Sequence, residues 1–319
     1  MKRSISKGKR ILITGATGFI GSNLLRRCVK YGADVSIFIR KNSNLWRIKD
    51  VMSYVKTFKV DLVDKETIKK NVNKINPEII FHAAVYGALV SQSDRKRMME
   101  VNLQGTLNLL DCCKKFNFEL LVNSGSSSEY GLKTQPMRED DILEPFSPYG
   151  ASKAMASLYA QKIAKDYEKP IITLRLFSPY GYFEDYNRLI PAVILSCLRG
   201  KHIKLSSPRS VRDFIFIDDV VDAYFKAFEM RGKIPGGIFN VGSGTQYKIE
   251  DVVEKIITLT GSKVKPEWGS LKNSRIEPSR WQANRDKAEK ELHWVPLQTL
   301  DEGLTKTINW FKKNIHLYA

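Results

Sequence analysis

One tyrosine of the chain is followed by a lysine four residues later, and both lie in the stretch "PYGASK" at 148–153. The chain has 13 tyrosines, and only Tyr149 shows this spacing, to Lys153. Positions i and i+4 share one face of a helix, so the two side chains should be neighbours. A free tyrosine, with a pKa of ~10, is a poor acid or base near neutrality, and a nearby ammonium group lowers that pKa. The pair therefore predicts general acid–base catalysis.

The elements that must position this pair alternate between short apolar strands and amphipathic helices over the first two-thirds of the chain. Such alternation predicts a parallel sheet covered by helices on both faces, which is a doubly wound α/β fold. Ligands of such sheets bind at the carboxyl ends of the strands. The predicted strands are 9–15, 34–39, 55–61, 78–84, 119–125 and 170–177.

Three glycines mark the predicted turn between the first strand and the first helix, in "ITGATGFIGSNLL" at 13–25. Gly15 makes the tight turn, Gly18 lets a pyrophosphate approach the backbone, and Gly21 completes the triplet. The N-terminus of the helix supplies N–H donors and a positive dipole. A glycine triplet is a weak signal alone, but this one follows a strand and opens a helix. We therefore predict a nucleotide site of the Rossmann type.

The end of the second strand, "SIFIRKNSN", indicates which nucleotide is favoured. Sites that prefer NAD usually carry a carboxylate there for the adenosine ribose, whereas this strand ends in Ile39, Arg40 and Lys41. Arg40 can bind a 2′-phosphate through charge-assisted hydrogen bonds. NADP(H) is therefore the predicted cofactor, and NAD is the alternative if Arg40 is only solvated. Asp61, after the third strand, either bonds the adenine amino group or caps the helix that begins at Asp64.

After about residue 176 the strand–helix rhythm becomes irregular, and Pro, Gly and Ser interrupt it. We predict an NADP-binding Rossmann domain over 1–176 that also takes in 210–245. The segments 177–209 and 246–319 are predicted to form a smaller substrate-binding region.

Ordered sequence blocks along nearly the whole chain resemble the extended short-chain dehydrogenases/reductases, in particular the NAD(P)-dependent sugar-nucleotide epimerases, dehydratases and reductases. The blocks are TGxxGxxG at 14–21, "FHAAV" at 81–85, "VNLQGT" at 101–106, "PYGASK" at 148–153, "LRLFSPYG" at 174–181, "RDFIFIDDVV" at 212–221, "NVGSG" at 240–244 and "LHWVPLQTLDEGL" at 292–304. The resemblance implies that the cofactor site extends to Thr17, Phe19, Ile20, Leu62, Ala83, Ala84, Asn102 and Ser124.

The resemblance also makes the stretch "VNSGSSSEYG" at 122–131 the floor of the active site. The family delivers a Ser or Thr to the substrate hydroxyl five residues before the glycine of a "YG" pair, and counting back from Gly131 gives Ser126. A hydroxyl there can hydrogen-bond the sugar oxygen as it gains or loses charge. Tyr149 is then the acid or base, and Lys153 also holds the nicotinamide ribose.

The same stretch argues against a 4,6-dehydratase. Those enzymes carry an acid three residues before that glycine, often with another beside it, and Ser127 and Ser128 occupy these positions here. Glu129 is offset by one residue, which on a strand would point it to the opposite face. The set Ser126, Tyr149 and Lys153 is that of a ketoreductase or a 4-epimerase.

On the substrate side, the resemblance places Arg212 and Arg280 at the diphosphate, where bidentate guanidinium contacts suit the task. Arg188 precedes a helix where the family has substrate-facing residues, and Tyr86 follows the fourth strand and is expected to wall the sugar pocket. Ser178 stands where the family commonly has an Asn on the diphosphate, so that contact departs from the pattern.

The composition, 43% hydrophobic and 27% charged residues, is typical of globular proteins. The net charge of +18 is spread along the chain and is accompanied by no nucleic-acid-binding motif. No window approaches the ~18 apolar residues of a membrane span, and no apolar segment follows the basic N-terminus, so a cytoplasmic location is expected. The four cysteines show no metal-ligand spacing, and no metal site is predicted.

These observations predict an NADP(H)-dependent oxidoreductase that acts on a nucleotide-activated sugar and reduces a 4-keto-6-deoxy sugar nucleotide. The alternative is a sugar-nucleotide 4-epimerase with tightly bound NAD. A 4,6-dehydratase and a non-catalytic, nucleic-acid-binding relative rank last. By resemblance the helices near 98–116 and 149–168 form a homodimer surface, and Met98, Met99, Met155 and Leu158 fit either that surface or a core.

Overall fold

A sheet of seven parallel strands forms the centre of the protein. The structure, a computed structural model, describes residues 7–89, 91–270 and 278–318. The strands within these residues are β1 (Arg10–Thr14), β2 (Asp34–Ile39), β3 (Val55–Lys59), β4 (Ile79–His82), β5 (Leu120–Ser126), β6 (Ile171–Leu176), β7 (Ser178–Tyr180), β8 (Ile203–Lys204), β9 (Val211–Arg212), β10 (Phe214–Phe216), β11 (Ile238–Val241), β12 (Tyr247–Lys248) and β13 (Pro266–Glu267). The seven-stranded sheet has the order β11-β6-β5-β4-β1-β2-β3.

Helices cover both faces of this sheet. The α-helices are α1 (Phe19–Lys30), α2 (Lys65–Ile75), α3 (Arg95–Met98), α4 (Gly105–Cys113), α5 (Pro148–Asp166), α6 (Leu189–Arg199), α7 (Ile217–Glu229), α8 (Ile249–Thr260), α9 (Asp286–Leu292) and α10 (Leu300–Asn314). A π-helical segment, Met99–Gln104, joins α3 to α4, and 3₁₀ turns lie at Lys49–Tyr54, Ser127–Glu129 and Ile315–Tyr318.

The side chains of β5 show how the sheet divides the core into two layers. Val122 belongs to the apolar cluster that contains Leu24 of α1 and Val220 of α7. The preceding residue, Leu121, points to the other face and belongs to the cluster that contains Leu109 of α4. Successive side chains of a strand point to opposite faces, and every residue of β5 is buried. This is the pattern of a parallel sheet covered on both sides, and it confirms the predicted doubly wound fold.

The strand order reverses between β1 and β4, where the two strands pair with each other although β2 and β3 separate them in the chain. The chain runs outward from β1 through β2 to β3, then returns to β4 and runs outward to β6 and β11. A crevice opens at such a reversal beyond the carboxyl ends of the strands. The glycine turn after β1 and Ala83 after β4 therefore face the same crevice.

A second group of elements lies outside the seven-stranded sheet. In the described residues it contains three two-stranded sheets, formed by β7 with β10, β9 with β12 and β8 with β13. It also contains the helices α6, α8 and α10, which pack on one another. β11 pairs with β6 in the main sheet, so the segment around 238–241 contributes to the larger unit. The predicted division into a cofactor-binding domain and a substrate-binding region stays a prediction. No helix in the described part of the chain is long and apolar enough to cross a membrane.

Candidate active site

The glycine turn after β1 forms a cradle that a side chain would fill. Gly15 has φ +71°, and a Cβ atom there would lie 2.5 Å from the carbonyl oxygen of Ala83 and from the amide nitrogen of Ala84. α1 begins at Phe19 with no side-chain cap at Gly18, so its first N–H groups are left for another partner. A pyrophosphate is the partner that such a helix N-terminus favours. The turn therefore fits a dinucleotide cofactor.

The loop after β2 presents positive charge without a competing acid. Arg40 is exposed, and its backbone N–H donates to the Ser43 hydroxyl at 2.9 Å. The first acid that follows in the sequence is Asp50, and its carboxylate pairs with Arg26 of α1 at 2.5 Å. A 2′-phosphate would meet the guanidinium of Arg40 and no free carboxylate in this loop. The residues present fit NADP(H), although Arg40 as an NADP-binding residue stays a prediction.

Asp61, which follows β3, does not cap the next helix. Asp64 is the N-cap of α2, and its carboxylate accepts the Thr67 N–H at 3.0 Å. The alternative interpretation of Asp61 as the cap is therefore wrong. Its carboxylate instead pairs with Arg97 at 3.0 Å and accepts the Val63 N–H at 3.2 Å. Its contact with the adenine amino group stays a prediction.

Tyr149 and Lys153 lie in the first turns of α5, as their spacing predicts. The helix starts there because the Ser147 hydroxyl accepts the Gly150 N–H at 3.0 Å and Pro148 occupies the first helical position. Lys153 is only 2% exposed. A buried ammonium group and a phenol one turn apart are thus held on one face of a helix that packs on β5 and β6.

Ser126 is the last residue of β5, and it faces Tyr149. The Ser126 hydroxyl accepts the Ser128 N–H at 3.1 Å, and it lowers the pKa of the Tyr149 phenol through a hydrogen bond. The strand end and the helix start therefore bring together the serine and the tyrosine that the sequence singled out.

The pKa of Tyr149 differs from the sequence-based expectation. Burial raises it above the ordinary value, and the Ser126 hydrogen bond and the positive charge of Arg188 only oppose that rise. The expected lowering is wrong for the polypeptide by itself, because burial outweighs both effects and the negative charge of Glu129 raises the pKa of Tyr149 further. The phenol is therefore protonated at neutral pH and is ready to donate a proton.

Ser124, predicted to help line the nicotinamide site, has protein partners of its own. Its hydroxyl donates to the His82 carbonyl at 2.7 Å and lies 2.5 Å from the Tyr224 hydroxyl of α7. The His82 ring lies between the hydroxyls of Thr14 and Thr106, at 2.6 and 2.9 Å. Burial lowers the pKa of His82 to about 3, so this ring is neutral. Ser124 thus anchors β5 to β4 and α7, and its cofactor contact stays a prediction.

The floor positions where a 4,6-dehydratase carries acids are serines in a 3₁₀ turn, not in a strand. Ser127 accepts the indole N–H of Trp281 at 3.1 Å. The Glu129 side chain turns away to pair with Arg175 of β6 at 2.8 Å, and both side chains are almost completely buried. The one carboxylate of this turn is thus engaged by Arg175, and the argument against dehydration stays a prediction.

Asn102 connects the loop after β4 to the start of α5, a link that the sequence blocks did not reveal. Its amide oxygen accepts the Tyr86 N–H at 2.8 Å, and its amide nitrogen donates to the Tyr86 carbonyl at 2.8 Å and to the Ser152 hydroxyl at 2.9 Å. Asn102 lies in the π-helical segment, and such segments are frequent at functional sites. The loop after β4 and the start of α5 are therefore positioned together, and contact of Asn102 with the cofactor stays a prediction.

One buried aspartate, Asp213, connects the chain segments that carry the predicted diphosphate residues. Asp213 accepts the backbone N–H groups of Ser243, Gly244 and Ala283 at 2.7 to 3.0 Å, and it follows Arg212 directly in the chain. Its own carbonyl accepts the Ser178 N–H at 3.0 Å. The carboxylate therefore connects Arg212 to the segment that follows Arg280, and the backbone carbonyl of Asp213 connects it to β7, which begins at Ser178. Sequence reasoning missed Asp213 because its partners are separated from it by 30 to 70 residues.

Arg188 bridges the two walls of the crevice. Its guanidinium donates to the Ala88 carbonyl, in the loop after β4, at 3.1 Å, and lies 3.5 Å from the Glu184 carboxylate, in the loop after β7. Its charge also reaches Tyr149, where it lowers the pKa of the phenol. Arg188 thus lies near Tyr149, and its contact with a substrate stays a prediction.

Comparison with known proteins identifies the family to which the chain belongs. Residues 11–242 match the NAD dependent epimerase/dehydratase family. A UDP-glucose 4-epimerase of Mycolicibacterium smegmatis is 30% identical over 321 residues, which cover 95% of this chain and 98% of that protein. A UDP-glucuronate 4-epimerase of Thermodesulfobacterium geofontis is 29% identical over 318 residues, 96% of this chain and 97% of that protein.

A solved structure shows the same fold with ligands in place. UDP-glucuronic acid 4-epimerase from Bacillus cereus, in complex with UDP-glucuronic acid and NAD, superposes with a TM-score of 0.85 and 26% identity over 95% of this chain and 99% of that one. The match in sequence and the match in structure both span the glycine turn, the floor at Ser126 and the Tyr149–Lys153 helix. The chain is therefore an enzyme of the NAD dependent epimerase/dehydratase family, as its sequence blocks indicated.

Proposed function

We propose that the protein is an NADP(H)-dependent oxidoreductase that reduces the 4-keto group of a 4-keto-6-deoxy sugar nucleotide. The loop after β2 supports the choice of NADP(H) as a cofactor that binds and dissociates in each catalytic cycle. Arg40 is exposed there, and the nearest following acid, Asp50, is already paired with Arg26. The serines at positions 127 and 128 and the internal pairing of Glu129 support a reaction without elimination of water.

Different residues of the crevice are expected to bind different parts of the cofactor. Gly15, Gly18 and the N-terminus of α1 are expected to hold the pyrophosphate, Arg40 the 2′-phosphate and Lys153 the nicotinamide ribose. Asp61 is expected at the adenine. The flanking residues Thr17, Phe19, Ile20, Gly21, Leu62, Ala83, Ala84, Asn102 and Ser124 complete the proposed cofactor site. When bound, NADPH supplies the hydride for the carbonyl carbon.

The protein's own groups then handle the carbonyl oxygen. Reduction of a ketone to an alcohol adds one hydride to carbon and one proton to oxygen, and Tyr149 donates that proton. The Ser126 hydroxyl, already hydrogen-bonded to the phenol, is placed to donate to the same oxygen as negative charge develops on it. The positive charge of Arg188 stabilises the tyrosinate that remains, and Lys153 is expected to hold the nicotinamide ribose.

The anionic end of the substrate is expected to lie against Arg212 and Arg280. The Asp213 carboxylate, next to Arg212 in the chain, accepts the backbone N–H of Ala283, three residues after Arg280. Arg188 and Tyr86 lie on the two walls of the crevice and are proposed to contact the sugar. Binding energy from the diphosphate, remote from the chemistry, holds the sugar at the reacting distance.

We also propose that the enzyme is a homodimer. Met155 and Leu158 of α5 are 39% and 51% exposed and lie on one face of the helix. Met98, in contrast, is 8% exposed and belongs to the core. The apolar contribution to a dimer would therefore come from α5.

A sugar-nucleotide 4-epimerase with retained NAD is the second candidate. Two of the relatives carry 4-epimerase activity in their names, and the Bacillus cereus structure contains NAD. The set Ser126, Tyr149 and Lys153 serves an epimerase equally well, because that reaction oxidises C4 and then reduces it on the opposite face.

The nucleotide that the protein releases distinguishes these two candidates. The freshly purified enzyme is denatured, and the supernatant is analysed for nicotinamide nucleotides by chromatography and mass spectrometry. We expect less than stoichiometric nucleotide, and a native protein that binds NADPH more tightly than NADH. Stoichiometric NAD in the supernatant would contradict the proposal and support the epimerase.

Arg40→Asp is expected to reverse the preference for NADPH over NADH. A charge-assisted hydrogen bond contributes about 1.5–3 kcal/mol, so the ratio of the two dissociation constants should change by about tenfold to 150-fold. Fluorescence titrations of both nucleotides measure the ratio. Lys204→Asp, at an exposed lysine of the short strand β8, controls for the change in net charge and should leave the ratio unchanged. An unchanged ratio in Arg40→Asp would defeat the argument from the second strand.

A further inference from the structure

Glu129 is a completely buried carboxylate beneath the floor of the site, and the proposed chemistry does not use it. Its side chain is 0% exposed. One oxygen accepts the Ser126 N–H at 2.8 Å and the Ser157 hydroxyl at 2.9 Å, and the other accepts the Arg175 Nε–H at 2.8 Å. Donors on three elements, β5, α5 and β6, therefore fix this carboxylate in one position.

The absence of a side chain at Gly125 leaves space for the Glu129 carboxylate. A Cβ atom at Gly125 would lie 2.8 Å from Glu129 Oε1 and 2.9 Å from a methyl carbon of Thr173. Arg175, the partner of Glu129, is 2% exposed, and its guanidinium also lies over the Tyr130 ring and donates to the Glu139 carbonyl. The Glu129 carboxylate and the Arg175 guanidinium therefore form a buried, hydrogen-bonded charge pair, and loss of one partner would leave the other charge uncompensated.

The bond to Ser157 brings the carboxylate to the catalytic helix. Ser157 follows Lys153 by four residues on α5, so the two side chains share one face of that helix. Lys153 is itself buried, and burial lowers its pKa to about 8, while the negative charge of Glu129 opposes that decrease. Burial raises the pKa of Glu129, and the charges of Arg175 and Lys153 oppose the rise.

We propose that Glu129 is a positioning residue that acts through Lys153: the carboxylate, held by Arg175, Ser126 and Ser157, is the counter-charge that keeps the buried Lys153 ammonium protonated at neutral pH. This inference rests on the proposed role of Lys153 at the nicotinamide ribose. Arg175 serves as the support that holds the carboxylate in the protein interior.

The other titratable groups around the pair act more weakly or in the opposite direction. On the neighbouring strand β4, His82 is neutral. Tyr149 of α5 is protonated, Arg175 of β6 adds positive charge, and Glu139 is engaged by the Asn240 N–H at 2.7 Å. Arg188, at the start of α6, also adds positive charge to the site. Glu129 is therefore the acid whose loss should change the protonation of Lys153.

The test compares three variants of the full-length enzyme, Glu129→Gln, the double variant Glu129→Gln/Arg175→Met and Lys153→Met. Gln keeps the shape and one acceptor oxygen but removes the negative charge. The double variant also removes the positive charge that Gln would leave unpaired, so that instability is separated from the electrostatic effect. Tryptophan fluorescence gives the NADPH dissociation constant between pH 6 and pH 9.5, and thermal unfolding reports stability.

In the native enzyme, NADPH affinity should fall as the pH rises through the pKa of Lys153, about 8, and Lys153→Met should lack this step. Loss of the Glu129 charge should move the step to lower pH by about one unit in the single variant, because an adjacent opposite charge shifts a pKa by about that much or more. The shift should have the same direction but be smaller in the double variant, because the positive charge of Arg175, which disfavours the ammonium form of Lys153, is removed as well. The double variant should regain most of the thermal stability that the single variant loses.

A step that stays at the native pH in both the single and the double variant would overturn the inference, because Glu129 and Arg175 would then form only a structural pair. The same holds if the step persists in Lys153→Met. Failure of the native enzyme to bind either NADPH or NADH would instead overturn the proposed function, and this inference with it.

Discussion

Tyr149→Phe is expected to lower kcat by about 10²- to 10⁴-fold, which is the range for loss of a general acid. The phenyl ring keeps the packing of the tyrosine, but the proton donor that meets Ser126 is lost. The NADPH dissociation constant should change little, because the residues proposed to hold the cofactor are untouched. Initial rates of NADPH consumption with a 4-keto sugar nucleotide measure the effect.

Tyr159→Phe is the matched control for this variant. Tyr159 lies on the same helix, and its hydroxyl donates to the Asp111 carboxylate at 2.8 Å, away from the floor at Ser126. We expect an unchanged kcat and a loss of about 1 kcal/mol in the free energy of unfolding, the usual value for one hydrogen bond. Equal rates for the two variants would remove Tyr149 from the mechanism.

Gly15→Ala is expected to abolish dinucleotide binding and to destabilise the fold. An alanine at φ +71° costs about 1–2 kcal/mol, and its Cβ would lie 2.5 Å from the backbone at Ala83 and Ala84. Relief of that overlap costs about 1–3 kcal/mol more and displaces the turn that faces the pyrophosphate. The NADPH dissociation constant should rise at least about 100-fold, equivalent to about 3 kcal/mol.

Gly200→Ala isolates the effect of the backbone angle from the effect of the overlap. Gly200 has φ +62° at the end of α6, and a Cβ atom there would have no neighbour within 4 Å. This variant should lose about 1–2 kcal/mol in the free energy of unfolding and should bind NADPH normally. Urea unfolding and fluorescence titration compare the two proteins, and similar losses in both would show that the close approach at Ala83 has no energetic weight.

The sequence predicted the features that depend on local pattern. The second strand begins and ends at the predicted residues, 34 and 39, because the β-rich run "DVSIFI" lies between Gly32 and the polar segment that starts at Arg40. The glycine turn and the Tyr149–Lys153 spacing are also local, so their positions follow directly from the fold. β11 was not among the predicted strands, since four residues, "IFNV", carry too little pattern to be distinguished from a loop.

The features that sequence reasoning missed depend on partners distant in the chain. Glu129 and Arg175 are 46 residues apart, and Asp213 and Ala283 are 70 apart. Neither pairing follows from periodicity, because each requires the sheet order and the loop positions. The pKa of Tyr149 was predicted in the wrong direction for a related reason, since the burial that raises it is a property of the folded crevice.

The transfer of deuterium tests the central claim most directly. NADPH deuterated at the transferable C4 position is supplied together with 4-keto-6-deoxy sugar nucleotides, which a separate 4,6-dehydratase generates from uridine, thymidine, cytidine and guanosine diphosphate sugars. For the accepted substrate we predict one deuterium at C4 of the product sugar for each NADPH oxidised, and no transfer with Tyr149→Phe. Interconversion of C4 epimers by the native enzyme, with no loss of NADPH and no deuterium in the sugar, would contradict the account and identify an epimerase.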